Sequence, residues 1–304
     1  MQTRKLHFGP LKQDKPFLTV RQTMKSADEF FYRGYDPLFL AKKSNALYGI
    51  YKNSDAFWAS AESWNLVLAS GKDELLNVIA TELHSARFHQ TEALIALLLC
   101  EFQNRPDWVY LTTYGNAEMK GAAKAIASGE FSALTKGMVS TAEQFIKAAV
   151  FANWDLSGTD AAELWTKSIQ DIAWLIGYAA ERFTKANEYN AYKHGLRVAH
   201  GPAGLRASVS SSPATLTPLI SMKHAVTYLE LSEQEAGYIG SLVTKEISPQ
   251  YSFELIQCLA SVLLLTKDMR LARATGTIDS LNILEIDREG LIRIEPASSF
   301  SFPY

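Results

Sequence analysis

Between Asp73 and Phe102 apolar residues recur at three- and four-residue intervals, with neither glycine nor proline among them. That spacing stacks side chains on one face of an α-helix. Ser70-Gly71 precede the run and Arg105-Pro106 follow it, so the pattern predicts a single helix of roughly 45 Å. Leu75, Ile79, Ala86, Ala93, Ala96 and Cys100 form its stripe, with Glu82 and His89 in the same stripe and Glu92 beside it. A second long helix is predicted from Thr159-Asp160 to about Arg197, before Gly201-Pro202. Its stripe is Trp165, Ile169, Ile172, Ile176, Ala179 and Phe183, and the same spacing continues into Asn187, Asn190, His194 and Arg197. An interior polar group without a partner costs on the order of 1–3 kcal/mol, so four on one face require partners: each other, a ligand or water. If the two helices pack antiparallel, Glu82, His89 and Glu92 face that polar cluster.

Elsewhere the pattern is shorter. Residues 1–65 mix strand-like runs (Phe17 to Val20, Leu47 to Tyr51) with turns such as Tyr35-Asp36-Pro37. Helices are predicted at about 116–128, 140–153, 232–246 and 251–273, and a strand at Ala225 to Leu231. Ala207 to Pro213 reads as a linker, and Ile283 to Ile294 as a hairpin turning at Gly290. The expected fold class is mostly α: a helical bundle over 66–203, flanked by a mixed segment over 1–65 and an α+β segment over 208–304.

Composition narrows the function classes. A chain of 304 residues buries about three quarters of its unfolded surface, so no disulfide or metal staple is needed. The net charge of -2 removes any broad electrostatic pull on nucleic acid or anionic membrane, so such a partner must be bound by a local patch. Cys100 and Cys258 lie in apolar runs and read as small hydrophobes. No segment has the length of a membrane span and the first ten residues lack the apolar run of a signal peptide, so a cytoplasmic protein is the expectation. No Gly-x-Ser-x-Gly elbow or phosphate-cradling glycine loop is present. A basic, aromatic patch is: Lys185, Lys193, His194, Arg197, His200 and Arg206, with Tyr189 and Tyr192 interleaved. Such a patch can hold phosphate and stack a base.

Tyr189-Asn190-Ala191-Tyr192-Lys193-His194-Gly195-Leu196-Arg197 resembles the Asn-x-x-Lys-His-Gly signature of HEPN-like (higher-eukaryote and prokaryote nucleotide-binding) helical domains. The resemblance spans about residues 73–203 and rests on that motif and the helix order. It implies a bundle of four or five helices, a homodimer, and a role in RNA cleavage, toxin or anti-phage systems, or RNA and nucleotide binding. Asn190, Lys193 and His194 match the motif. Catalytic members carry an arginine, a polar residue, then four to six positions before the histidine; here Arg197 follows His194, and Arg182 lies twelve residues upstream, roughly 18 Å along a helix and turned by about 120°.

The leading expectation is therefore an RNA- or nucleotide-phosphate site with Asn187, Tyr189, Asn190, Tyr192 and Lys193 as binding residues. His194 would move the proton and Arg197 would stabilise developing charge if RNA is cut. No cofactor or metal is expected. Two other readings stand beside it: a noncatalytic dimeric interaction scaffold, and a metal-dependent hydrolase built on Glu82, His89 and Glu92.

Overall fold

The computed structural model describes residues 2–7, 25–63, 71–103, 106–154, 161–193, 198–208, 216–234, 237–276, 280–296 and 299–303. In chain order they form β1 (Gln2–His7), α1 (Lys25–Gly34), α2 (Phe39–Lys52), α3 (Ser54–Ser63), α4 (Lys72–Cys100), α5 (Asp107–Thr113), α6 (Asn116–Ser128), α7 (Phe131–Leu134), α8 (Ala142–Ala149), α9 (Ala162–Thr184), α10 (Asn187–Lys193), β2 (Val198–Ser208), β3 (Leu216–Gln234), β4 (Gly237–Glu246), α11 (Pro249–Thr275), β5 (Ser280–Glu285), α12 (Arg288–Arg293) and β6 (Ser299–Pro303). The protein is mostly α with a helical core. No helix among the described residues is long and apolar enough to cross a membrane.

The chain divides into two compact units: Met1–Ala41, His89–Lys185 and Ile256–Gly290 make the first, and Lys42–Phe88, Ala186–Leu255 and Leu291–Tyr304 the second. Each of the segments expected at 1–65, 66–203 and 208–304 contributes to both units. In the first, α9 packs on α6 and α8. Its predicted stripe is intact, since Trp165, Ile169, Ile172, Ile176, Ala179 and Phe183 are all buried. Two polar residues of α9 hold the end of β5: Ser168 accepts from the Leu284 amide, and Asp171 accepts from the Ile286 amide and Arg288. Strand β5 pairs antiparallel with β1. The same unit buries Arg270, which donates to Asp107, the Tyr32 hydroxyl and the Leu97 and Ala149 carbonyls. Arg273 makes a two-pronged pair with Glu101 at 2.7 and 3.0 Å.

The second unit is built on the antiparallel sheet β2-β3-β4-β6. Ala80 of α4 packs with Val226 and Ile247, and α10 lies on β3 through Ala191, Tyr228 and Val243.

Several sequence expectations are corrected. Leu47 to Tyr51 is helical, within α2; Ala41 and Ser44 are buried and Tyr48 and Tyr51 half-buried, a helical 3-4-3 spacing that the aromatic run disguises. Residues 237–246 form a strand, consistent with Gly237 and Gly240, each of which disfavours a helix by about 1 kcal/mol. Gly201-Pro202 does not stop a helix but occupies a bulge of β2, where the register shifts between Gly201 and Ala203, a position where a sheet tolerates proline. The closing hairpin is instead a strand and a helix: Asp287 accepts from the Gly290 amide at 2.8 Å and so caps α12. The long second helix ends at Thr184; the Lys185 amide bonds back to Arg182 and Phe183 before the chain resumes as α10. The run Phe17 to Val20 lies outside the described residues.

Candidate functional site

The break at Lys185 resets the helical phase, and this changes what the motif residues face. Continued in phase, Asn187 and Asn190 would be buried. Instead Asn187 is exposed, Asn190 is half-exposed, and Ala186, Glu188, Tyr189 and Ala191 point inward. His194 and Arg197 lie outside the described residues.

Each inward residue of α10 has a defined partner. The Tyr189 ring packs against Phe88 with centroids 5.3 Å apart, and the Lys193 ammonium stands 4.4 Å over the Tyr189 ring. Glu188 accepts from Lys245 at 2.9 Å and lies 3.5 Å from His84 Nε2. His84 meets the Phe88 ring edge-on at 5.2 Å, and the Arg87 guanidinium lies 4.2 Å over that ring. Around this centre the Tyr192 hydroxyl donates to Glu82, which also pairs with Lys43 at 3.0 Å. Asn187 donates to Glu230 at 2.6 Å.

The electrostatics follow from burial and these pairs. Burial drives His84 down to about 4, Arg87 adds to the effect and Glu188 opposes it, so the ring is neutral at neutral pH. Burial alone would raise Glu188; the His84 ring and the Lys245 ammonium outweigh it and hold the carboxyl below the ordinary carboxylate range. Burial and the hydrogen bond to Glu82 push Tyr192 above its usual value.

Of the three residues expected on α4, the structure brings one to α10: Glu82 reaches Tyr192. His89 is exposed and Glu92 buried, and both belong to the first unit. Of the expected stripe, Ile79, Ala86, Ala96 and Cys100 are buried, Leu75, Glu82 and Ala93 are half-buried, and His89 is exposed. Among the described residues no group of three His, Cys, Asp or Glu side chains is placed to hold a metal, so the hydrolase reading has no centre there. Arg182 stacks over Tyr178 in the first unit at 3.4 Å.

Sequence reasoning missed His84, Lys245 and Tyr228. One signal was available: Asn77, His84 and Thr91 recur at seven-residue spacing, and all three are buried. Polar residues repeating in phase with a helix mark a second polar face of α4 as clearly as the one first read.

What the arrangement offers chemically is an anchored helix with a basic end. Glu188 and Glu82 are each met by a lysine, Tyr189 and Ala191 are buried, and Lys193 and His200, on either side of 194–197, are exposed. In comparisons with known proteins the chain matches no family model, no curated protein and no solved structure.

Proposed function

We propose that the segment from Asn187 to His200 binds RNA or a nucleotide through its phosphates, as the HEPN-like motif implies. The observation that supports this is the division of labour along α10. Asn187, Glu188, Tyr189 and Ala191 are engaged by α4 and the sheet, whereas Lys193 is exposed immediately ahead of His194-Gly195-Leu196-Arg197 in the sequence, and His200 is exposed just after. A fixed helix that ends at Lys193 and is followed in the sequence by His194, Arg197 and His200 suits phosphate binding, with its inner face given to folding. Tyr192, half-exposed and oriented by Glu82, offers a ring on which a base can stack.

The test is fluorescence anisotropy with labelled single-stranded RNA, read beside a gel for cleavage. The proposal expects binding that His194→Ala and Arg197→Ala weaken without altering the fold. Cleavage lost in His194→Ala would extend the reading to a metal-independent ribonuclease; absence of binding at low salt would end it.

One observation favours the dimeric scaffold instead: Phe30 is 84% and Phe39 64% exposed in the first unit, and large exposed aromatics are typical of contact surfaces. Light scattering separates the two readings, since the scaffold requires self-association that Phe30→Ser abolishes and RNA leaves unchanged.

A further inference from the structure

The second unit holds another constellation, drawn from three elements and unused by the phosphate site. The Tyr51 hydroxyl on α2 lies 2.9 Å from His224 Nε2 on β3, and His224 Nδ1 lies 2.6 Å from Asn77 Oδ1 on α4. An amide oxygen only accepts, so Nδ1 carries the ring proton and Nε2 turns its lone pair to the phenol, which donates. This is the relation of a nucleophile to a base that a third residue orients. His224 and Asn77 are buried, while Tyr51 keeps part of its surface in solvent. The His224 carbonyl is further fixed by the Ile247 amide at 2.9 Å.

The groups around the ring set its protonation. Burial lowers His224, Lys223 on β3 lowers it further, and Asp73 on α4 opposes both. At neutral pH the ring is therefore neutral and able to accept a proton. Burial raises Tyr51, so the phenol does not ionise unaided and depends on Nε2 to take its proton as a bond forms. Beside it, Tyr48 stacks on Tyr51 and on Phe253, with centroids 6.1 and 4.4 Å apart. These partly exposed rings make an aromatic surface next to the hydroxyl.

We propose that Tyr51, His224 and Asn77 form a nucleophilic site for an aryl-bearing electrophile of the phosphoryl or sulfonyl class. The Tyr51 oxygen forms a bond to the phosphorus or sulfur centre as the bond from that centre to its leaving group breaks. The leaving group departs with the electron pair, and the phenolic proton passes to His224 Nε2 and from there to the leaving group or water. Tyr51 and His224 touch the reacting atoms; Asn77 is a positioning residue, holding the tautomer that makes Nε2 an acceptor.

The experiment uses the full chain and a benzenesulfonyl fluoride probe, with adducts mapped by peptide mass spectrometry from acid to alkaline pH. At neutral pH, Tyr51 should react on the order of a hundredfold faster than Tyr48 of the same helix. Its rate should rise with the ionisation of an imidazole rather than that of a phenol. Asn77→Asp, which sets a carboxylate behind the ring, should move that midpoint upward and accelerate the reaction above it. His224→Phe should reduce Tyr51 to the rate of Tyr48. Equal labelling of Tyr51 and Tyr48 in the wild type, a phenol-like profile, or an Asn77→Asp profile that does not move would each overturn the proposal. The first two need no variant and so do not depend on one folding.

Discussion

Lys245 Nζ lies 2.9 Å from Glu188 Oε2, and the Glu188 side chain is only 5% exposed. The residue immediately ahead of the Tyr189–Arg197 motif is thus committed to an ion pair with the sheet. Taking away one member of such a pair leaves an uncompensated buried charge. Lys245→Met is expected to cost about 3 kcal/mol, whereas Lys245→Met with Glu188→Leu recovers most of the loss. Urea unfolding of the two single variants and the double variant measures this, and strictly additive losses would show that the pair does not couple.

His84 makes a pH prediction whose sign is fixed by its direction of shift. Its folded value, about 4, lies below the unfolded value of about 6.5. Between the two the unfolded chain binds more protons than the folded one, so stability rises with pH across that window and falls on acidification. The slope approaches about 1.4 kcal/mol per pH unit for one proton. Glu188 acts at lower pH: held below the ordinary carboxylate range, it contributes stability above that range and loses it as pH falls through its folded value. Unfolding free energies of the wild type and His84→Leu between about pH 4 and 6.5 check the first effect. The variant should lose the slope.

Arg270 should be the most sensitive position of the first unit. Its guanidinium serves Asp107, Tyr32 and two carbonyls at once. Arg270→Met is expected to cost about 3–5 kcal/mol, and Arg270→Lys to rescue little, since an ammonium cannot span that fork. Arg288→Met, whose side chain is 38% exposed and whose partner is Asp171, should lose far less. Thermal melts of the three variants give the order.

Gly129 closes α6 with φ 76°, its amide bonding back to Ala125 and Ile126. That left-handed position disfavours a Cβ, so Gly129→Ala should cost about 1 kcal/mol. Denaturant midpoints read it directly.

The long helices were legible because their physics is local. α4 and α11 carry runs free of internal glycine and proline and bounded by those residues, and in α9 Trp165 to Phe183 declare the buried face at each turn. The break at Lys185 was not legible, since Arg182, Thr184, Lys185 and Ala186 contain no residue that a helix rejects; the chain turns there because α10 packs on a distant sheet. Strand β4 and helix α12 were misread for the same reason. Gly237, Gly240 and Asp287 did signal, but what they signalled depended on partners far along the chain. The site was half legible: the motif drew attention to α10, while His84, Lys245 and the Tyr51–His224–Asn77 chain exist only once α2, α4, β3 and β4 meet.

The central claim, that the end of α10 binds nucleic-acid phosphate, is tested most directly by the salt dependence of single-stranded RNA binding in wild type and Lys193→Ala/Arg197→Ala. The account predicts that log affinity falls linearly with log salt, and that the double variant lowers the slope by about 0.7 for each phosphate contact removed. An unchanged slope in a folded double variant, or no RNA binding at low salt, would contradict it.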